Sequence, residues 1–531
     1  MPVGPLERGL TVLRALAAQD MDRGALVRST GLPRATVDRV VATLGGLGLV
    51  RADGREVALA PGLMALSGAY LHGSGIPAAL GPLVGRLAEE LDESVSVAVP
   101  DRAGARVVLQ TAARRRTMSL AFRIGDLLPA DRCAPGALFA DGTLEWAADE
   151  ELIEPGLIAV AVPVRDAAGS TVCAVSVASH TSRHTPESLR EAVLPRLREM
   201  GGAMGAALAG PRPPAAADAV AGGPVGASAG LKVDASAGLK VDASAGLKRE
   251  LGPDFLQSLA RGLAVLCALG ADRGEGLTLT AVSEVTGLAR ATVRRSLLTL
   301  VHLGYVECGG SAGRHFRLLP RVLELGCARL SALGPAEVAQ PHLARLVART
   351  GESASMAVLD GADIRYAARV PTVRIMSIDI TVGTRFPAYA TSMGRVLLAG
   401  LAPAERPPLP DGLPALTPNT VTSPAELARI VERCAADGYA LVAEELEEGL
   451  RSLAVPVRGA DGRVVAAVNV AQHARRGTPE EMLRTLLPAL RAAGAGISAD
   501  LAVLGVPGLP GAPGVCGVPG HSSGAMSAVR P

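Results

Sequence analysis

Aromatic residues and lysine are scarce in this chain. Only 2% of its 531 residues are aromatic, and lysine occurs three times, at Lys232, Lys240 and Lys248. Apolar residues nevertheless make up 49% of the sequence, so the cores must be built from Ala, Leu and Val. A chain of this length is too long for a single core, and we expect three or four domains.

Further absences exclude several classes of protein. The seven cysteines show no C-x-x-C pair, which is typical of reduced cytoplasmic thiols rather than of a disulfide framework. The sequence shows no signal peptide and no continuous apolar run of 18 residues. It also lacks a Gly-rich phosphate loop, a nucleophile elbow and a metal-ligand cluster. We therefore expect a soluble cytoplasmic protein, nucleoid-associated if it binds DNA, that is not an enzyme and uses no cofactor, metal or membrane.

The sequence contains a long internal repeat. LERGLTVLRALAAQD at residues 6–20 returns as LARGLAVLCALGADR at 259–273, and LPRATVDRVVATLGGLGL at 32–49 returns at 288–305. GLIAVAVPVRDAAGSTVCAVSVASH at 156–180 matches GLRSLAVPVRGADGRVVAAVNVAQH at 449–473. Three blocks in the same order indicate a duplicated unit of one or two domains, far longer than the repeat of a solenoid.

Two low-complexity segments separate and follow the copies. Residues 210–252 contain the repeat ASAGLKVD, and a Gly/Pro-rich segment follows Leu504; both are too poor in large apolar residues to order themselves. The predicted domains are a first helical head (1–72), a first α/β domain (76–209), a flexible linker (210–252), a second helical head (253–330), a second α/β domain (335–504) and a disordered tail (505–531).

Each copy begins with a helix-turn-helix pattern. In the second copy, Gly287 supplies the tight turn between two helices, and Val293, Leu297 and Leu300 form the apolar stripe of the second helix. Its opposite face carries arginines and threonines, the side chains that contact phosphates and base edges. The predicted DNA-binding residues are Arg34, Thr36 and Arg39 in the first copy and Arg290, Thr292, Arg294, Arg295, Thr299 and, in the wing, Arg314 in the second.

The local charge favours the second head. The formal net charge of the whole chain is only +2, so any attraction to DNA must be local. Residues 6–70 contain eight Arg against six acidic residues, whereas residues 255–330 contain nine against five. Asp38 moreover stands among the arginines of the first head. We expect the second head to supply more of the phosphate attraction.

These residues resemble the IclR family of bacterial regulators. The second copy matches over about 255–504, including RIMSIDITVGTRFPAYATSMGRVLLA and GYALVAEELEEGLRSLAVPVRGADGRVVAAVNV, and looks most like the Pca/Pob branch, which controls aromatic-acid catabolism. The resemblance implies an α+β fold: two winged helix-turn-helix heads, each followed by an α/β (GAF-like) effector-binding domain. The first copy lacks about 45 residues of this sensor, so we expect it to be a structural partner while the second copy senses.

The resemblance also implies an effector pocket in the second copy. Thr391 or Ser392 is placed to cap a helix whose free N–H groups favour an anion such as a carboxylate; a simple capped helix is the alternative. Gly394 would let a ligand approach the backbone. Carried over by position, the effector-binding residues are Ser392, Met393, Gly394, Leu450, Ser452 and Asn469. We interpret the acidic run Glu444, Glu445, Glu447 and Glu448 as solvated rather than catalytic.

The sequence thus predicts a transcriptional regulator that forms an intrachain pseudo-dimer. Its partners would be double-stranded DNA with paired half-sites, a small organic or aromatic acid and, as a further possibility, a second tandem chain. Two alternatives stay open: a DNA-binding protein that responds to no effector, and an α/β enzyme whose heads only dock other proteins.

Overall fold

A computed structural model describes residues 3–112, 122–210, 242–272, 274–309, 313–372, 380–408 and 412–504. The chain divides into two compact units, Met1–Leu333 and Gly334–Pro531. The first unit contains both heads and the sensor-like domain of the first copy, and the second contains the sensor domain of the second copy. The predicted α+β class, with two heads and two α/β domains, is confirmed.

Each head consists of three helices and a three-stranded antiparallel sheet. The first contains α1 (Gly4–Ala18), β1 (Met21–Asp22), α2 (Arg23–Thr30), α3 (Arg34–Gly46), β2 (Val50–Asp53) and β3 (Glu56–Leu59), with strand order β1-β3-β2. Leu10, Leu13 and Leu16 recur at helical spacing along α1, and all three are buried. Because helical residues three apart share a face, this stripe docks α1 onto the rest of the head.

The first sensor-like domain is built around a six-stranded antiparallel sheet. After α4 (Met64–Ser74) its elements are α5 (Ile76–Leu91), β4 (Ser94–Asp101), β5 (Gly104–Thr111), β6 (Leu127–Pro129), α6 (Ala134–Ala140), β7 (Ala147–Glu150), β8 (Leu157–Arg165), β9 (Thr171–His180) and α7 (Pro186–Ala209). The strand order is β6-β5-β4-β9-β8-β7. Residues 157–180 of the repeated block form the antiparallel pair β8–β9.

The second head repeats the first. A helix α8 (Asp242–Leu251) precedes α9 (Gln257–Ala268), β10 (Leu277–Thr278), α10 (Leu279–Thr286), α11 (Arg290–His302), β11 (Val306–Gly309), β12 (His315–Leu318) and α12 (Cys327–Leu330). Helix α8 corrects part of the linker prediction, since the end of the segment 210–252 is helical. Leu247 and Leu251 of α8 contact Gly46 of α3, which gives this small-residue segment an apolar partner. Residues 211–241 and 505–531 lie outside the described residues.

The second sensor domain has the same sheet with an additional helix. Its elements are α13 (Pro335–Thr350), β13 (Ser353–Asp360), β14 (Asp363–Val370), β15 (Arg385–Pro387), α14 (Ser392–Ala399), α15 (Pro424–Asp437), β16 (Ala440–Ala443), β17 (Leu450–Arg458), β18 (Val464–His473) and α16 (Pro479–Val503), with strand order β15-β14-β13-β18-β17-β16. Ala357, Ala454 and Ala467 face α14 and α15, while Val455 on the opposite face contacts α16.

The two sensors differ mainly in the connection that follows α6 in the first sensor and α14 in the second. Residues 141–146 connect α6 to β7, whereas residues 400–439, including α15, connect α14 to β16. Helix α15 therefore has no counterpart in the described part of the first sensor. The truncation removes a covering helix and leaves all six strands in place.

Helix α16 is long and apolar enough to cross a membrane by length and composition alone, and it is the one such helix among the described residues. Its buried residues include Met482, Leu490 and Ile497, and the helix packs on β17, β18 and α13. This is the arrangement of a core helix, because its apolar side is already covered by protein.

Candidate DNA interface and effector site

The turn glycines place each second helix as the sequence predicts. Gly31 ends α2 with φ +67°, and Gly287 ends α10 with φ +65°. This left-handed conformation costs glycine little because it has no Cβ. Asp22 and Thr278 cap the N-termini of α2 and α10 by accepting N–H groups from Ala25 (2.6 Å) and Ala281 (3.2 Å). Local residues therefore set the angle at which α3 and α11 leave each turn.

Helix α11 presents a basic face. Val293, Leu297 and Leu300 are buried, while Arg290, Arg294 and Arg295 are exposed and Thr292 is half-buried. None of these three arginines forms an ion pair within 4 Å with another described residue. Their guanidinium groups are therefore available to phosphates or base edges, although DNA contact by each residue stays a prediction.

The assignment of Thr299 to the DNA-facing surface is wrong. Thr299 is 1% exposed, and its Oγ1 accepts the Val3 N–H of the first head (2.9 Å). The aligned Thr43 does the same in the other direction, accepting the Leu256 N–H (2.9 Å). Helical periodicity places position 299 beside Arg295, but it does not reveal that the other head covers it.

The two heads make reciprocal contacts through their first helices. A Cβ placed on Gly9 would lie 2.3 Å from Leu259 Cδ1, and one placed on Gly262 would lie 2.5 Å from Leu6 Cδ2. Leu6 aligns with Leu259, and Gly9 aligns with Gly262, so each leucine fills the space left by the other copy's glycine. Such mutual contacts are those of a two-fold interface, formed here within a single chain.

Helix α3 carries a different charge pattern from α11. Arg34 is exposed, but Asp38 lies 2.8 Å from Arg23 and 3.9 Å from Arg34. Arg39 is exposed and donates a hydrogen bond to Pro253 O (2.7 Å), and Thr36 is half-buried. Part of the positive charge of the first head is therefore engaged in ion pairs and hydrogen bonds within the protein.

The wing of the second head is the pair β11–β12. Arg314 lies exposed just before β12, while residues 310–312 at the tip lie outside the described residues. The neighbouring Arg317 is 3.6 Å from Asp272 and 3.7 Å from Glu307. Arg314 is thus placed at the end of the wing, and Arg317 is engaged at its base.

In the second sensor, the predicted effector residues meet where α14 begins. Ser392 is fully buried, and its Oγ donates to Ser452 Oγ on β17 (2.9 Å). Asn469 on β18 is 5% exposed, and its Oδ1 has no hydrogen-bond partner among the described residues. A buried oxygen that accepts no hydrogen bond is energetically costly. The Asn469 Oδ1 atom is therefore suited to accept a hydrogen bond from a bound molecule.

Other predicted residues at this site have structural roles. Thr391, rather than Ser392, caps α14 by accepting the Gly394 N–H (3.0 Å). A Cβ on Gly394 would lie 2.1 Å from Ala388 O, so close packing requires glycine there, and ligand approach to Gly394 stays a prediction. Met393 is 1% exposed within the hydrophobic core, whereas Leu450 is half-buried at the start of β17.

Two further residues share this face of the sheet and are not among those predicted from the sequence. Ser355 on β13 lies opposite Asn469, and Arg369 on β14 lies opposite Ser355. Cross-strand partners point to the same face, so a serine, an asparagine and an arginine form a row. The alternation in SASMAVLD places Ser355 on a face, but the strand order that brings Arg369 beside it is not readable from the sequence.

The interpretation of the acidic run as solvated is wrong for Glu445. Glu445 is 8% exposed and Arg395 on α14 is 2% exposed. The Arg395 Nη1 atom donates to Glu445 Oε1 (2.8 Å), and Nη2 donates to Oε2. A buried bidentate pair of this kind requires both partners, and it fixes α14 to the loop before β17.

The same location in the first sensor has lost the hydroxyl groups of Ser392 and Ser452 and the charge of Arg369. Ala134 aligns with Ser392, Ala159 with Ser452 and Ser176 with Asn469. Gln110 occupies the strand position that Arg369 has in the second copy. The first sensor therefore has neither the cation nor the paired serines of the second.

An acidic residue stands there instead. Asp149 on β7 is 3% exposed, and its Oδ2 accepts the Ala134 N–H at the start of α6 (2.8 Å), while Oδ1 has no partner among the described residues. Burial raises the pKa of Asp149 to about 6, and the hydrogen bond from Ala134 opposes this shift. The aligned residue in the second sensor is Val442.

Within the described residues, no group of three or more His, Cys, Asp or Glu side chains is placed to hold a metal ion. The described cysteines are not disulfide-bonded, and all except Cys308 are buried. Burial raises the pKa of Cys173 to about 12 and that of Cys133 to about 11, so these thiols remain protonated and pack as apolar groups.

Two family models match this chain, each of them twice. The IclR helix-turn-helix domain matches residues 5–54 and 258–308. The C-terminal region of the bacterial transcriptional regulator IclR matches residues 143–205 and 327–499. The order of the matches is that of the internal repeat, and the shorter C-terminal match falls in the truncated first sensor.

Curated relatives match about half of the chain. The Pca regulon regulatory protein of Pseudomonas putida is 46% identical over 252 residues, which are 47% of this chain and 85% of that protein. The Pca operon regulatory protein of Acinetobacter baylyi is 36% identical, covering 45% of this chain and 86% of that protein. The p-hydroxybenzoate hydroxylase transcriptional activator of the same organism is also 36% identical, over 45% of this chain and 89% of that protein.

Proposed function

The chain belongs to the IclR family of bacterial transcriptional regulators, and from that premise we propose that its two heads bind paired half-sites while its second sensor binds a small organic acid. Its relatives are transcriptional regulators, and the chain is accordingly a regulator and not an enzyme. The regulator is a tandem fusion, so a single chain carries two DNA-binding heads.

The reciprocal contact between the heads carries the DNA part of the proposal. Leu6 and Leu259 each fill the space beside the other copy's glycine, which fixes α3 and α11 relative to each other. The exposed Arg290, Arg294 and Arg295 then supply the phosphate and base contacts of the second half-site. Neutralising several phosphates releases counterions, so affinity should fall steeply with salt.

The row on β14, β13 and β18 carries the effector part. Arg369 supplies a positive charge, the Ser392 and Ser452 hydroxyls can rearrange to bind a carboxylate, and the N-terminus of α14 favours an anion. The unpartnered Asn469 Oδ1 needs a donor, which a hydroxyl group of the same ligand would provide. A hydroxylated acid fits both requirements, and one relative is named for activating p-hydroxybenzoate hydroxylase. We favour a hydroxylated aromatic acid.

The first sensor is proposed to be a structural partner. Without a cation at position 110 and with Asp149 beside the start of α6, its site disfavours an anion by charge. Since Ala134 and Ala159 have no hydroxyl groups, it also lacks two of the polar side chains present in the second sensor. One effector per chain is therefore expected.

The test combines DNA binding with ligand-induced stabilisation. The intact chain would be titrated with the DNA upstream of its own gene at two salt concentrations, with and without a panel of hydroxybenzoates. We expect salt-dependent binding whose affinity changes several-fold with one of these acids, and a raised melting temperature for that acid alone. DNA binding without any ligand effect would favour a regulator that responds to no effector.

Two finer features belong to this proposal. A second tandem chain could pair with the first, and sedimentation velocity of the free and DNA-bound protein would measure that stoichiometry.

Association with the nucleoid in the cytoplasm is the location that DNA binding implies, and fluorescence microscopy of a tagged chain would check it.

A further inference from the structure

Position 38 of the first head and position 294 of the second occupy the same place on their helices. RATVDRVV at 34–41 aligns with RATVRRSL at 290–297, so Asp38 and Arg294 both follow the buried valine of α3 or α11 by one residue. Their neighbours agree in type: Arg34 matches Arg290 and Arg39 matches Arg295. At this place the two heads carry opposite charges.

One pair of hydrogen bonds between the heads is symmetric. Thr43 accepts the Leu256 N–H and Thr299 accepts the Val3 N–H, each at 2.9 Å. A two-fold pair of identical heads reads two identical half-sites, which is why the operators of such dimers are palindromic. This chain keeps the symmetric backbone arrangement but differs at a side chain on the DNA-facing helix.

We propose that Asp38 and Arg294 make the two half-sites of the operator different, so that the chain prefers a non-palindromic site. The Arg294 side chain is exposed and has no ion pair within 4 Å among the described residues. An arginine that reaches a base edge in the major groove typically donates two hydrogen bonds to the O6 and N7 atoms of guanine. Arg294 therefore selects guanine at its position in the second half-site.

Asp38 has the opposite chemistry. A carboxylate only accepts hydrogen bonds, so it fits the amino group of cytosine and is repelled by guanine O6 and N7. The side chain is 39% exposed and is held by Arg23 (2.8 Å) and Arg34 (3.9 Å). These two arginines orient the carboxylate and reduce its repulsion from phosphates. At the matching position, the first half-site should carry cytosine on the strand where the second carries guanine.

The direct test is selection of binding sites from random duplex DNA by the intact chain. The selected site should contain two related half-sites that differ at the position read by residues 38 and 294. Binding would then be compared on three duplexes: the selected site, a palindrome of its first half and a palindrome of its second half. We expect the selected site to bind roughly tenfold more tightly than either palindrome, the usual penalty for one mismatched position.

A charge-reversal variant tests whether residue 38 itself causes the difference between the two half-sites. Asp38→Arg should shift the preference to the palindrome of the second half-site, because both heads then carry arginine at this position. Glu154→Arg, which changes the charge equally at an exposed position of the first sensor, should keep the preference of the unmodified chain.

Two results would overturn the proposal. One is selection of a perfect palindrome by the unmodified chain, which requires no variant to fold. The other is an unchanged order of affinities in a folded Asp38→Arg variant.

Discussion

Thr43 and Thr299 occupy aligned positions, and each is buried against the chain segment that begins the other copy's first helix. The sequence pattern assigns a role only to Thr299, as a DNA contact, because polar residues beside an apolar stripe are usually solvated. The presence of threonine at the same position in both copies was an available signal for a shared structural role. A single hydroxyl that accepts an N–H from another domain leaves no other trace in the sequence.

The Thr299 contact predicts a specific loss of stability. Thr299→Val removes the acceptor and leaves the Val3 N–H without its partner, at a cost of about 1–3 kcal/mol. The melting temperature of the chain and its affinity for paired half-sites should both decrease. Thr36→Val, at a half-buried position of α3, is the matched control for the melting temperature. Equal melting temperatures for the two variants would contradict the role assigned to Thr299.

Asp149 predicts a pH-dependent stability at the residue scale. Its pKa is raised by burial from 3.8 to about 6, so its ionised form is less favourable in the folded chain than in the unfolded chain. The contribution of Asp149 is therefore most favourable below about pH 4 and is lost as pH rises through about 6. Relative to Asp149→Asn, the unmodified chain should lose on the order of 2 kcal/mol over this range.

Urea unfolding of the unmodified chain and of Asp149→Asn at pH 4.5 and pH 7.5 measures the difference between their free energies of unfolding. Asp131→Asn removes an exposed carboxyl of the same domain and controls for the change in net charge. A difference between the unmodified chain and Asp149→Asn that is the same at both pH values would refute the prediction.

At the scale of elements, the start of α14 and the start of α6 are the same structure with different surroundings. In the second sensor Val442 on β16 lies opposite Ser452, and in the first sensor Asp149 on β7 lies opposite Ala159. The sequence indicated the helix cap and named Ser392, Ser452 and Asn469. It did not indicate Arg369 or Ser355, because which strands are neighbours depends on the topology of the whole sheet.

This comparison predicts that one substitution in the second sensor is enough to exclude an acidic ligand, as we propose for the first sensor. Val442→Asp places a carboxylate near Ser452 and the start of α14, where it should exclude an acidic effector by occupying its hydrogen-bond donors and by charge repulsion. Ligand-induced stabilisation by the acid that stabilises the unmodified chain should then disappear.

The control for Val442→Asp is Val382→Asp, at an exposed position of the same domain (63% exposed). This variant should keep the stabilisation by the acid. An undiminished response in a folded Val442→Asp variant, with its unfolding transition intact, would show that the acid binds elsewhere.

The end of the linker, residues 242–252, shows how composition alone misleads at this scale. Small residues and glycine in the ASAGLKVD repeat predict a flexible chain, but Ala, Leu and Lys also have high helix propensity. Leu247 and Leu251 are four residues apart and so lie on one face of α8, where both contact Gly46. Helix formation here depends on a partner surface 200 residues earlier in the chain, which no local pattern reveals.

At the scale of the whole molecule, the repeat in the sequence predicted two heads and two sensors, and both are present. The sequence did not predict that the second head would belong to the same compact unit as the complete first copy. That grouping follows from contacts that include those of α1 and α4 with α9. The leucine and glycine positions of α1 and α9 are ordinary helix residues when each copy is considered alone.

Cutting the chain between the copies tests this organisation. Lys248 lies on α8 and is exposed, and the other two lysines also precede the second head, so a lysine-specific protease separates the two copies. The cut protein should lose affinity for paired half-sites on dilution, because the covalent link no longer maintains the effective concentration of the two heads.

Gel-shift titrations of intact and cut protein over a range of protein concentrations measure this effect. Affinity for a single half-site is the control and should be the same for both. A cut protein that binds paired half-sites as tightly as the intact chain at the lowest concentration would mean that the contact between the heads suffices without the link.

The replacement of Ser392, Ser452 and Arg369 by Ala134, Ala159 and Gln110 also has a consequence for the dose response. If each chain has one working sensor, promoter occupancy follows effector concentration along a hyperbola with a Hill coefficient of one. A regulator with two equivalent, coupled sensors can respond more steeply. If one sensor is a structural domain, as we propose, and the chain acts singly, its response to acid concentration should extend over about two decades instead of about one.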